Sequence, residues 1–167
     1  MLTIEEVIKH MHDYQKMNNI VARCVDNATY LRDCIKISCP KADVIVRPCY
    51  VFIPNYHHSD IPATIVHVVV EADGKVYDPS YETTSDSRQI YFYTFKELNE
   101  FIPNINKMFE SSKDPTGLKN IKSSKELIQQ FIKFCLLADK MTREDNAMVT
   151  NRHYYNDQAD YIESVEI

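Results

Sequence analysis

The dipeptide Asp73-Gly74, in the stretch HVVVEADGKVYDPSYE (residues 67–82), constrains this chain more than any other feature. Flanked by β-branched and aromatic residues, it predicts a two-residue type I′ turn between strands at Thr64–Glu71 and Lys75–Tyr81. That turn fixes the register: Ala72 opposes Lys75, Glu71 opposes Val76 and Val70 opposes Tyr77. Carried further, Val69 opposes Asp78 and His67 opposes Ser80. His67 and Asp78 then share a face as diagonal neighbours, with Cβ atoms about 7 Å apart, within hydrogen-bonding reach of an imidazole and a carboxylate. Val68, Val70, Tyr77 and Pro79 make the other, apolar face, and the His67 face is mixed, as at the border of a cleft. A slip of one residue would part His67 from Asp78.

Helices are expected on either side of this hairpin. Thr3 and Glu6 have capping-box spacing ahead of Ile4, Val7, Ile8, Met11 and Tyr14, predicting a helix from about Ile4 to Lys16. Asn18 and Asn19 break it and serve as caps for a second helix, with Ile20, Cys24, Ala28, Leu31 and Ile35 on one face. Residues 42–53 read as a strand, broken or bulged near Pro48, and 89–93 as another. Thr94 and Glu97 cap a short helix that Pro103 ends. Residues 110–122 read as a loop, and Ser123 and Glu126 open a helix whose Leu127, Ile128, Phe131, Cys135 and Leu136 pack inward. A further helix is expected after Thr142.

This order gives an α+β fold, an antiparallel sheet packed against N-terminal helices, with more helices at the C-terminal end. The 167 residues suit a single domain, with a core over about 14–95 and a helical part over about 94–167.

Net charge −5 and scattered lysines argue against a nucleic-acid binder. No apolar run approaches a membrane span, and the acidic, amphipathic start is unlike a secretory signal, so no membrane partner and a cytoplasmic location are expected. Five cysteines, an odd number, read as free thiols. They and His57-His58 lack the spacing of a metal site, so neither metal nor other cofactor is expected. Two glycines, no tryptophan and abundant Lys, Asn, Ile and Tyr resemble the bias of an AT-rich genome, such as that of a parasite or large virus.

An oriented His–Asp pair makes two-thirds of a nucleophilic triad, and Cys24 is the best candidate for the third member. A cysteine in the first turns of a helix meets the positive end of the helix dipole, which favours the thiolate. RCVDNATYL around Cys24, followed by a strand and then by HVVVEADGKVYDPSYE, resembles the transglutaminase-like branch of the papain-like cysteine fold over about residues 14–95. The resemblance implies Cys24 as nucleophile, His67 as general base and acid, and Asp78 as the carboxylate that orients it. It also implies a polar oxyanion donor shortly before the cysteine: Gln15, Asn18 or Asn19, with Asn18 preferred, beside the backbone N–H of Cys24. The tryptophans that many such sequences carry near the cysteine and histidine are absent, as is an acidic run like the calcium sites of animal transglutaminases.

The expected activity is that of a cysteine-dependent hydrolase or acyltransferase. It would act on the amide bond of a peptide, protein or small acyl substrate through a thioester. The alternative is a catalytically inactive binding or structural protein of the same fold, working in the host cytoplasm if it is viral. Specificity would reside in loops such as 54–62 and 110–122.

Overall fold

The computed structural model describes residues 2–54, 63–110, 124–143 and 165–166. Of the expected loops at 54–62 and 110–122, residues 55–62 and 111–122 lie outside the described residues, as do His57, His58, Ser123 and residues 144–164. The described chain runs β1 (Leu2–Thr3), α1 (Ile4–Met17), α2 (Cys24–Ser38), β2 (Val44–Ile53), β3 (Ala63–Ala72) and β4 (Lys75–Tyr77). It continues with α3 (Tyr81–Thr84), β5 (Ile90–Phe92), α4 (Phe95–Glu110), α5 (Ser124–Arg143) and β6 (Val165–Glu166). This is a mixed α+β structure. Its main sheet has four strands in the order β4-β3-β2-β5, and β1 pairs with β6 in a separate parallel ladder.

The predicted turn is present. Asp73 and Gly74 both have positive φ, 48° and 84°, as a type I′ turn requires. Beyond them Ala72, Glu71 and Val70 pair antiparallel with Lys75, Val76 and Tyr77. Pairing stops at Tyr77, four residues short of the predicted strand end. Asp78 folds its Oδ1 back to accept the Ser80 N–H at 2.9 Å, and Pro79 has no N–H to offer a ladder. β3 is buried on both faces from Val66 to Val70, so the half-open surface expected around His67 is replaced by core.

The chain forms two compact units. The first comprises residues 1–47, 68–81 and 135–167, the second 48–67 and 82–134; β2, β3 and α5 each run through both. In the first unit, α1 is capped as expected: Glu6 N–H donates to Thr3 Oγ1 at 3.1 Å and Thr3 N–H to Glu6 Oε2 at 2.8 Å. Its buried line is Ile4, Val7, Met11 and Gln15, and it packs against α2, with β6 against both helices. α2 begins at Cys24, later than expected, because Asn18 closes α1 and Asn19 and Ala22 take positive φ. From Asn27 to Ile35 α2 is buried all round, which its mixed sequence does not announce. Arg32 inside it is paired with its neighbour, its Nε and Nη2 both donating to Asp33 Oδ1, while its buried Nη1 has no hydrogen-bond partner. Near the end of α5, Thr142 Oγ1 accepts the Val46 N–H at 3.0 Å and donates to the Ala138 carbonyl at 2.9 Å.

The second unit has an aromatic core. Tyr50 stacks on Phe131 with centroids 4.5 Å apart, and Phe101 meets both Phe52 and Phe92. The β2–β5 register puts Tyr50 beside Phe92 and Phe52 beside Ile90, so these side chains share one face. Pro103 does not end α4, which continues to Glu110. Pro103 is exposed, and so is Asn99, whose carbonyl loses the proline's missing N–H and stays within reach of water. α5 also differs from expectation. Leu127 and Ala138 are buried and Phe131 and Phe134 join the aromatic core, whereas Ile128 and Leu136, predicted to face inward, are exposed.

Among the described residues no helix is long and apolar enough to cross a membrane.

Candidate active site

Cys24 is the first residue of α2, a half-buried free thiol in the first unit. Arg23 at the N-cap gives the helix start no side-chain hydrogen bond; its guanidinium reaches Asp26 Oδ2 at 3.0 Å. The first i to i−4 bond of the helix is Asn27 N–H to the Arg23 carbonyl. The N–H groups of the first turn fall outside that i to i−4 pattern.

Asp78 also belongs to the first unit, just after β4. The segment it opens, Asp78–Tyr81, is held from two helices. From α1, Gln15 uses both ends of its amide: Nε2 donates to the Pro79 carbonyl at 2.7 Å and Oε1 accepts the Tyr81 N–H at 2.8 Å. Also from α1, His12 Nε2 lies 3.1 Å from the Asp78 carbonyl, and its ring meets Tyr81 edge-on. From α2, Asn27 Nδ2 donates to Ser80 Oγ at 3.0 Å. Asn27 lies one turn after Cys24 on the same helix, so that bond ties the cysteine's helix start to the aspartate's segment.

Burial lowers the affinity of His12 for its proton below the usual histidine range, against the opposing pull of the Asp78 carbonyl and the Asp78 and Asp13 charges. Burial pushes the Cys34 thiol up to about 12, which marks it as an inert core residue.

His67 is described with the second unit. It sits midway along β3, only 1% exposed, with its Nε2 3.5 Å from Thr83 Oγ1. Asn18 is exposed at the end of α1, and its Nδ2 donates to the Tyr14 carbonyl at 2.8 Å. Gln15, another of the three amides weighed for that role, is 1% exposed and engaged at both ends.

Sequence reasoning missed Asn27, Thr83 and the clamping role of Gln15. One signal was present: Gln15 continues the line Ile4, Val7, Met11, and a polar residue at an apolar helical position needs a buried partner.

Among the described residues no three His, Cys, Asp or Glu side chains come together as a metal site. Comparison with protein-family models, curated proteins and solved structures finds no match.

Proposed function

We propose that this chain is a cysteine-dependent hydrolase or acyltransferase of the transglutaminase-like, papain-like class, acting on amide or peptide bonds in the cytoplasm. Cys24 is the nucleophile, His67 the proton carrier and Asp78 the orienting carboxylate. The observation that carries this reading is the position of Cys24 at the uncapped start of a deeply buried helix. There the thiol stands at the positive end of the helix dipole, with the backbone N–H of Cys24 as a donor for an oxyanion.

In the proposed reaction the Cys24 sulfur attacks the substrate carbonyl carbon and its proton passes to His67. The tetrahedral intermediate collapses, the C–N bond breaks, and His67 returns the proton to the departing amine. Water or a second amine then attacks the thioester carbonyl, releasing the acid or the new amide and regenerating the thiol. The substrate is a peptide, a protein or a small amide.

A second reading, a binding or structural protein without turnover, is favoured by the carboxylate of Asp78, which holds the Ser80 N–H as an ordinary turn residue does.

Iodoacetamide labelling followed by peptide mass mapping separates the two. The enzyme reading expects Cys24 to react faster than Cys39 below pH 7, Cys34 to stay unlabelled, and His67→Ala to slow Cys24. Equal rates at Cys24 and Cys39, with no effect of His67→Ala, would overturn it. A library of activated amides and esters, read by intact mass, then identifies the acyl group carried on Cys24.

A further inference from the structure

β3 carries a polar ring into the core. His67 is 1% exposed and follows Val66, itself buried. A buried imidazole needs a partner for its N–H, and a hydroxyl stands within reach: Thr83 Oγ1 lies 3.5 Å from His67 Nε2. Thr83 is the one buried residue of α3 and is also 1% exposed. A valine would fill the same space with no polar atom to satisfy, so a threonine at this position points to a use for the hydroxyl.

The chemistry of a proton carrier settles which way the contact runs. While one ring nitrogen takes up a proton and gives it back, the other keeps its own N–H, and the partner of that second nitrogen must accept in both charge states. A hydroxyl can do this and stays neutral itself. With Oγ1 beside Nε2, the resting nitrogen is Nε2 and the working one is Nδ1. A separation of 3.5 Å is long for a hydrogen bond. Catalytic contacts are often long before substrate binds and tighten afterwards, as this one would once the ring is charged.

We infer that Thr83 is a positioning residue for His67: its hydroxyl accepts the Nε2–H and fixes the tautomer whose lone pair is on Nδ1, leaving Nδ1 to exchange the proton with Cys24 and the departing amine. The inference rests on the reading of His67 as proton carrier, and it gives the resting side of the ring a neutral partner in addition to the Asp78 carboxylate.

NMR of the histidine ring nitrogens in the full chain, recorded above the range in which the ring titrates, reads the tautomer directly; the His67→Ala spectrum assigns the signals. The unaltered chain and Thr83→Ser should both show the proton on Nε2, and Thr83→Val should show it redistributed between the two nitrogens. Iodoacetamide labelling of Cys24, measured against Cys39 in the same sample, should slow about tenfold in Thr83→Val and recover in Thr83→Ser. Circular dichroism and thermal melting should show both variants folded. A His67 ring carrying its proton on Nδ1 in the unaltered chain, a Thr83→Val variant with unchanged ring signals, or a Thr83→Ser variant as slow as Thr83→Val would each overturn the proposal, and the first needs no variant to fold. His67→Ala separates the two ways of failing. A Cys24 rate that His67→Ala lowers and Thr83→Val does not overturns the role of Thr83 alone, whereas a rate that neither lowers overturns the reading on which it rests.

Discussion

Asn27 Nδ2 donates to Ser80 Oγ at 3.0 Å, and this buried bond links the helix that starts with Cys24 to the turn that starts with Asp78. Its deletion tests how far the turn depends on the helix. Asn27→Ala is expected to lower stability by about 1–3 kcal/mol, the usual cost of disrupting a buried polar pair. In a double-mutant cycle with Ser80→Ala, urea melts should give a coupling of about 0.5–1.5 kcal/mol.

Gln15 holds the same turn from the other helix. Gln15→Ala removes one donor and one acceptor from two backbone groups, so a larger loss, roughly 2–4 kcal/mol, is expected in the same melts. Gln15→Glu keeps the acceptor for Tyr81 but sets a carboxylate oxygen against the Pro79 carbonyl. It should therefore be less harmful at pH 4 than at pH 7, because protonation returns a donor.

His12 gives the fold a dependence on acid of defined sign. Its proton affinity is lowered in the folded chain, chiefly by burial, so below about pH 6.5 the unfolded chain binds more protons there. The stability linked to His12 is fully present above about pH 6.5 and is lost as pH falls through the folded value. Denaturant melts across that range should show stability falling with acid, and His12→Gln should flatten the slope. Titration of the His12 ring signals by NMR should give a midpoint below the usual histidine value.

Gly74 has φ +84°, yet a Cβ built there meets nothing within 4 Å. The cost of Gly74→Ala is then conformational strain without a clash, about 1–2 kcal/mol in thermal or urea unfolding. Gly74→Asn should cost less, since asparagine tolerates positive φ. Asp73→Ala should cost more than the turn alone, because Asp73 Oδ1 also accepts the Asp43 N–H at 2.9 Å.

The legible parts of this fold are those where local chemistry leaves one solution. Asp73-Gly74 dictated the β3–β4 register, and Thr3 with Glu6 dictated where α1 begins. The strand end at Tyr77 was hidden because alternation continues in the letters after the ladder has stopped; Asp78 and Pro79 carry the signal, one as a turn acceptor and one without a donor. α2 looked amphipathic because Arg32 and Asp33 read as surface residues until they are seen paired inside. In α5 two apolar lines merged into one broad stripe, which the burial of Leu127 and the exposure of Leu136 separate. Pro103 misled by the general rule that a proline stops a helix. Of the candidate site, the place of Cys24 at a helix start was readable from sequence; that Asp78 stands in a turn, and not on a strand paired beside His67, was not. Gln15 and Asn27, which hold the aspartate's segment, were not, because their partners lie 64 and 53 residues away in the chain.

The pairing of Leu2 with Val165 and of Thr3 with Glu166 has a consequence for biosynthesis. The second unit draws only on residues 48–134, whereas the first needs residues from the start, the middle and positions 135–167. During vectorial synthesis the aromatic unit has all its parts outside the ribosome while β1 still lacks its partner strand. The unit containing Cys24 and Asp78 is therefore completed last, and a nascent chain arrested before residue 165 should leave that unit open to proteolysis while the aromatic one is already protected.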